Sequence, residues 1–321
     1  SGLDHGLLTH LARYILAEMN LTPRALVIST REQLHGETGN TSAIPLVALK
    51  DSLEFLEEEL METFGADIKF PIDVEDAEYI FFAPVSDYLM EAETLMGIAA
   101  VLHQAGISWT IGSKYFDAIN YGLFYSDLVL GRVLGKIEEE TRRLKAKKVL
   151  IGECGHATRS ATFLKTYWQG DDAPEVVNIL QLTHKLLKEG KIKIDPNKIT
   201  ERVTYHDPCN IARQGWIVKE PREILKAFCR DFVEMTPTGT DNYCCGGGGG
   251  TVSIDEIRKY RTNVSGLKKA EQIRQTGAHY VVAPCANCKK QVRELMEDNN
   301  VDGELLGLHD LILKAIVIDK E

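Results

Sequence analysis

A chain of 321 residues with 44% apolar content is long enough for one large core or two ordinary domains, so no metal is needed merely to hold a small fold together. Its formal charge of -10, with basic residues scattered among acidic ones, argues against a nucleic-acid surface built on phosphate contacts and points to protein or small-molecule partners. No stretch approaches the run of about 18 apolar residues that crosses a bilayer, and no basic segment followed by an apolar signal core opens the sequence, so a soluble, cytoplasmic protein with no direct membrane span is expected. Seven cysteines are too few and too clustered for a secreted disulfide framework, whereas a reducing compartment keeps them available for metal or redox work.

In chain order, Leu7, Leu8, Leu11, Ile15 and Leu16 recur at helical spacing and predict a docking or packing helix over 5–19. Short apolar runs at 25–29, 79–85 and 148–152 read as strands between longer amphipathic segments, which favours an α/β fold with mostly parallel sheets flanked by helices. An internal repeat organises the remainder. In the second half a strand at 203–206 ends in Asp207-Pro208-Cys209. A helix over 221–228, a strand at 232–236, the loop Cys244-Cys245-Gly246 and a long helix over 254–275 follow. A strand at 280–283 then ends at Cys285-Ala286-Asn287-Cys288. The first half has the same order, from a strand at 79–85 through a helix at 90–104, a strand at 108–111 and a helix at 125–144. Its last strand, 149–152, ends at Cys154-Gly155-His156.

Pro84 to Cys154 spans 70 positions and Pro208 to Cys285 spans 77, so the halves are expected to be pseudo-symmetric copies of one unit. Alignment sets Ser86 or Asp87 opposite Cys209, and Asn120-Tyr121-Gly122 opposite Cys244-Cys245-Gly246; in the first half only Cys154 keeps a cysteine. The expected division is an N-terminal helical docking region with a first strand over 1–74, a degenerate repeat over 75–190 and a cluster-binding repeat over 200–315, the boundary lying in the polar stretch near 188–200.

The central pattern is Cys209, 34 residues, Cys244-Cys245, 39 residues, and Cys285-x-x-Cys288. Zinc is satisfied by four ligands and usually by two Cys-x-x-Cys knuckles. Five thiolates with one adjacent pair suit a cluster better, because neighbouring sulfurs reach two different metals. The glycines from Gly246 to Gly250 let the backbone pass close to a bulky inorganic group and direct N–H donors at its sulfurs. A helix starting at Ser253 or Asp255 would offset thiolate charge with its positive end. The alternative is a flexible glycine loop beside a buried or disulfide-bonded Cys244-Cys245 pair. The glycine run lacks the Lys-Ser/Thr that completes a P-loop.

Together, His206-Asp207-Pro208-Cys209, Cys244-Cys245-Gly246 and Pro284-Cys285-x-x-Cys288 resemble the cysteine-rich CCG domain of heterodisulfide reductase B and D subunits, shared with iron-sulfur subunits of glycolate and glycerol-3-phosphate oxidases. The resemblance covers about residues 75 to 315. Gly152-Glu153-Cys154-Gly155-His156-Ala157, with Asn120-Tyr121-Gly122 in place of a first CCG, is similar to DsrK- and HmcF-type subunits. What the resemblance implies is a noncubane [4Fe-4S] cluster held by Cys209, Cys244, Cys245, Cys285 and Cys288, at which a disulfide or trisulfide is reduced in one-electron steps. It also implies electron-donating iron-sulfur or membrane quinol-linked partner subunits, a thiol or disulfide substrate such as a small Cys-bearing protein, and a peripheral place at the inner membrane through those partners. DsrK-like proteins usually carry a ferredoxin-type domain with cubane motifs, which this sequence lacks.

Cys154, at the position equivalent to Cys285, is a candidate catalytic residue that forms a mixed disulfide or acts as a ligand, and His156 a candidate proton donor. His206 is placed to tune the cluster by hydrogen bonding, or is structural. Arg159 and Arg213 read as solvated surface residues, and Cys229 as a buried residue of the helix over 221–228. Two functional readings follow: a sulfur-redox catalytic subunit, or an electron-relay subunit of a flavin-linked oxidase. A zinc-stabilised scaffold is a third.

Overall fold

The computed structural model describes residues 2–319. Three helices lead the chain: α1 (His5–Glu18), α2 (Arg24–His35) and α3 (Leu46–Phe64). The expected strand at 25–29 is the first turn and a half of α2. Leu26, Thr30 and Gln33, spaced by four and three, are its buried residues, so a helical period prevails over the apolar run Ala25-Leu-Val-Ile. In α1 the expected helix forms with its faces inverted. Leu7, Leu8, Leu11, Ile15 and Leu16 are exposed, while Arg13 lies over the Phe124 ring at 5.5 Å and the Tyr14 hydroxyl donates to Asp127.

The first half then runs β1 (Tyr79–Phe82), α4 (Val85–Leu89), α5 (Ala92–Gln104), β2 (Trp109–Ile111), α6 (Gly122–Tyr125), α7 (Asp127–Arg143) and β3 (Lys148–Ile151). It closes with α8 (Gly155–Ala161), α9 (Leu164–Tyr167), β4 (Glu175–Asn178) and α10 (Ile179–Lys188). The second half runs β5 (Ile199–Tyr205), α11 (Cys209–Ala212), α12 (Lys219–Phe228) and β6 (Cys229–Glu234). After a stretch of short turns come α13 (Arg258–Tyr260), α14 (Leu267–Thr276), β7 (Tyr280–Val282), α15 (Ala286–Asp298), β8 (Glu304–Leu306) and α16 (Leu308–Ala315). Cys229 therefore opens a strand rather than lying in the preceding helix.

The halves share one topology. Each holds a four-stranded, wholly parallel sheet, in the orders β2-β1-β3-β4 and β6-β5-β7-β8. Fourth strands β4 and β8 add an element that the sequence pattern did not mark. Alternate residues of each strand enter two apolar layers that run through both halves: Phe81, Leu150, Val203 and Val282 in one, Phe82, Ile151, Val281 and Ala283 in the other. Strands buried on both faces are what parallel sheets covered by helices require.

The two halves lock through α5 and α16. At Gly97 of α5 a methyl would overlap the His309 carbonyl of α16, and Thr94 one turn earlier donates to Asp310. Gly97→Ala should therefore lower stability by about 1–3 kcal/mol, the usual cost of overpacking, read as a lower urea midpoint at unchanged slope. Among the described residues no helix is long and apolar enough to cross a membrane.

Candidate functional site

Parallel sheets of this order place their ligand sites outside the carboxyl ends of the two central strands, where the chain departs in opposite directions. In the second half those ends carry Cys209, after β5, and Cys285, after β7. In the first half they carry Val85 and Cys154, after β1 and β3. Pro84 and Pro208 both cap the short helix that follows, so Val85 stands where Cys209 does, one position before Ser86 and two before Asp87, the residues aligned with Cys209 from the sequence. Cys154 and Cys285 both cap the helix after the third strand of their half, as their assigned equivalence requires. The two ends abut: a methyl on Gly155 of α8 would lie 3.3 Å from Asn210 Cβ and Ile211 Cγ1 of α11.

Six of the seven sulfurs consequently form one run. Cys209 pairs with Cys244, Cys244 with Cys245, Cys245 with Cys288, Cys288 with Cys285, and Cys285 with Cys154 across the junction of the halves. Cys245 and Cys288 Sγ are 3.4 Å apart. Cys244 is exposed, Cys209 half-buried and the other four buried, Cys154 fully. Sharing of protons along the run polarises it. Hydrogen bonds from Cys209 and Cys245 hold Cys244 down at about 2, and those from Cys154 and Cys288 hold Cys285 well below the ordinary thiol value. Cys154, donating to Cys285 and buried, is pushed far up and keeps its proton. Cys245 is raised to about 12, chiefly by Cys244.

Backbone amides converge on the same sulfurs. Gly246 N–H donates to Cys244 Sγ at 3.3 Å, and the nearby amides of Gly247 at Cys245 and of Cys288 and Gly155 at Cys285 favour those thiolates. Gly246 has φ +92°, a conformation other residues rarely adopt. A methyl on Gly247 would sit 2.7 Å from Gln291 Cβ, so at this position the loop lies against α15 with no room for a side chain.

The helix expected over 254–275 is not continuous. Residues 251–257 form two tight turns, a π-helical turn covers Arg261–Ser265, and α14 starts only at Leu267. Ser253 Oγ meets the Tyr121 hydroxyl at 3.3 Å and Asp255 pairs with Lys290 at 3.5 Å, so neither caps a helix there. The helix whose positive end meets the thiolates is α15, which Cys285 caps. Arg213, expected to be solvated, donates to the Thr240 and Asn242 carbonyls and braces the segment before Cys244. Arg159 lies over the Phe163 ring at 5.1 Å.

Two buried imidazoles complete the site. His156 Nε2 accepts from the Asn120 N–H at 3.1 Å, the ring lies 4.9 Å from that of Phe124, and burial lowers its pKa to about 4. The neutral ring thus carries its proton on Nδ1, which has no partner. His206 groups with Cys245 and Cys288, their ligand atoms all within 4.8 Å, and its Nε2 also has no partner. Behind it lie residues that no sequence motif marked: Asn242, and Lys269, whose ammonium is wholly buried and lowered by that burial to about 8. Asp207 next to Cys209 is clamped by Arg222 at 2.7 and 2.8 Å. A cleft of about 370 Å³ opens between the halves beside this chemistry, lined in part by Ser86, Tyr121, Ser253, Asn287, Lys290 and Arg293. A ring of soft sulfur donors, amide N–H groups aimed at them and two unpartnered ring nitrogens nearby suit an electron-rich, thiolate-bound iron-sulfur group.

Residues 203–293 match the cysteine-rich domain family called CCG. The chain is 26% identical over 361 aligned positions to the Hdr-like menaquinol oxidoreductase iron-sulfur subunit of Archaeoglobus profundus, covering 99% of this chain and 64% of that one. A second such subunit, from Archaeoglobus fulgidus, is 25% identical over 362 positions with the same coverage. The D subunit of the dihydromethanophenazine:CoB–CoM heterodisulfide reductase of Methanosarcina mazei is 26% identical over 77% of this chain and 61% of its own. The chain thus spans a little under two thirds of the length of these relatives. A crystal structure of glutamate racemase isoform RacE1 from Bacillus anthracis aligns over 77% of the chain and 79% of its own at 10% identity with a TM-score of 0.31, too low to carry an argument. Residues 203–293 thus carry the match to the CCG cysteine-rich domain, and the chain as a whole is similar to the iron-sulfur subunits of Hdr-like oxidoreductases.

Proposed function

We propose that this chain is the cluster-bearing catalytic subunit of an Hdr-like electron-transfer complex of the DsrK type, acting on a disulfide, a trisulfide or a thiol pair. Cys209, Cys244, Cys245, Cys285 and Cys288 hold a noncubane [4Fe-4S] cluster in the repeat spanning 200–315, and the repeat over 75–190, its own ligands lost, supplies Cys154 and His156. The observation that carries this reading is the unbroken sulfur run from Cys209 to Cys154, five thiols of one repeat and one of the other. The bound group supplies single electrons and a surface that polarises a sulfur–sulfur bond.

In the reductive direction a disulfide takes up two electrons and two protons and leaves as two thiols. The electrons come from an iron-sulfur or quinol-linked partner, as the menaquinol oxidoreductase named among the relatives suggests. Both protons come from solvent, and the Cys154 Sγ–H and the unpartnered His156 Nδ1–H steady the developing thiolate charge by hydrogen bonding. The substrate, a small thiol or the Cys-bearing tail of a small protein, enters by the cleft of about 370 Å³ between the halves. The complex lies in the cytoplasm, peripheral at the inner membrane through its partners.

An electron-relay role is the second reading. It draws on the complete burial of Cys154 and on the cleft being lined beside Cys285 and Cys288, at Ala286 and Asn287, rather than by the cysteines themselves. Anaerobically purified protein should contain iron and acid-labile sulfide, and a paramagnetic signal that changes when a thiol substrate is added. Zinc without sulfide would sink both readings; a signal indifferent to thiols would leave the relay.

A further inference from the structure

His206 directly follows β5, the strand that delivers Cys209, and its two ring nitrogens have distinct roles. Its Nδ1 lies 3.4 Å from Asn242 Nδ2. An amide and an imidazole can each turn either way, so this pair alone fixes nothing. Lys269 fixes it. An ammonium only donates, and Lys269 Nζ is 2.7 Å from Asn242 Oδ1. The amide oxygen therefore faces Lys269 and the NH2 faces His206, Nδ1 accepts, and the ring proton sits on Nε2. That Nε2–H has no protein partner, on a ring that offers a nitrogen within 4.8 Å of Cys245 and Cys288 Sγ. The ammonium is itself anchored: it also donates to Gln272 Oε1, whose amide donates to the Pro237 carbonyl at 2.7 Å.

We propose that Lys269 and Asn242 are positioning residues that lock His206 in its Nε2–H form, so that this N–H donates to the sulfur site at Cys245 and Cys288 and raises the midpoint potential of the group held there. The proposal rests on the iron-sulfur reading above. An N–H donated to sulfur stabilises the extra negative charge of the reduced state, and such hydrogen bonds are among the protein's means of setting a potential. Without Lys269 the Asn242 amide is free to turn. Its oxygen then accepts from Nδ1–H, and a bare Nε2 lone pair faces electron-rich sulfur. Lys269 thus acts through His206 and not by its charge alone.

The test uses the loaded protein under argon, with iron and sulfide counted per chain and the midpoint potential read by EPR-monitored titration. His206→Phe and Lys269→Met should each lower the midpoint, by about 59 mV for a tenfold change in a one-electron ratio. The double variant should fall no further than His206→Phe alone, and Lys269→Gln, an uncharged donor, should recover part of the loss. Additive shifts, or Lys269→Gln as low as Lys269→Met, would overturn the proposal in favour of a through-space charge. A second measurement needs no variant: wild-type protein with 15N-labelled histidine should show a weak nitrogen coupling to the paramagnetic centre, and its absence also overturns the proposal. Wild-type protein without iron and sulfide would instead overturn the iron-sulfur reading itself.

Discussion

Cys245→Ser and Cys288→Ser each strip the protein of its iron and acid-labile sulfide, while Cys229→Ser retains both. Cys245 and Cys288 sit at the centre of the sulfur run, 3.4 Å apart and buried, and each joins two neighbours in it. A serine there offers a hard oxygen that stays protonated at neutral pH, where a soft thiolate is needed. Loss of a direct ligand should exceed the roughly 10–100-fold cost of losing an outer-shell partner. Cys229 is the internal control. It opens β6 with 8% exposure and packs in the apolar layer beside Phe228 and Leu225, away from the other sulfurs. The fold should survive all three changes, since two apolar layers running through both sheets hold the chain without metal. Circular dichroism that matches wild type, together with iron and sulfide counts, checks the result. Cys245→Ser protein that still binds a full complement of iron and sulfide would remove Cys245 from the ligand set. The counts belong under argon, because a cluster-free Cys245–Cys288 pair at this separation is poised to oxidise.

The repeated strand-helix order was legible because each buried parallel strand is a short β-rich run ending in a marked turn, such as Tyr79-Ile-Phe-Phe before Ala83-Pro84 or Val203-Thr-Tyr before Asp207-Pro208. The cysteine spacing was legible for a related reason: each motif falls where a strand ends, and strand ends are where this topology gathers its loops. Other features were hidden. The fourth strands, Glu175-Val-Val-Asn and Glu304-Leu-Leu, carry two apolar residues each, too few to show a period. Residues 25–29 carry a β-rich composition on a helix, since the burial of Leu26, Thr30 and Gln33 outweighs local preference. The break within 251–266 follows from tertiary contacts. Arg261 turns inward to Gln291 and Glu294 of α15 and sits in a π-turn, a demand that helical periodicity does not record. Lys269 and Asn242 were hidden most completely, because a buried lysine on an amphipathic helix looks in sequence like any solvated one. The inverted face of α1 was only half legible: the spacing of its leucines gives a helix, and nothing in that spacing says which face meets the body.

Cys154→Ala should keep the iron, the sulfide and the resting EPR signal of wild type while disulfide reduction falls on the order of 10²–10³-fold, the range for loss of one preorganised donor to a developing charge. The prediction turns on which sulfur of the Cys154–Cys285 pair carries the proton. The neighbouring Cys154 and Cys288 thiols, and the amides of Cys288 and Gly155, all favour the Cys285 thiolate. Cys154 has one backbone donor, from Ala157, against burial and its thiolate neighbour, all of the latter favouring the thiol. Cys285 is therefore fitted to be a ligand and Cys154 to stand outside the ligand set with a hydrogen-bond donor to offer. Removing Cys154 deletes that donor and leaves the five cluster sulfurs untouched, so binding and chemistry separate. His156→Phe should weaken reduction by a comparable factor, because it removes a second donor to the same charge. In the same Cys154→Ala protein, electrons passed from a reduced dye to an artificial acceptor should flow at the wild-type rate, since no sulfur–sulfur bond is broken on that route. Disulfide reduction at the wild-type rate in Cys154→Ala would dismiss Cys154 from catalysis and make the chain a relay. Loss of iron together with activity would instead make Cys154 a sixth ligand, held across the junction of the two halves.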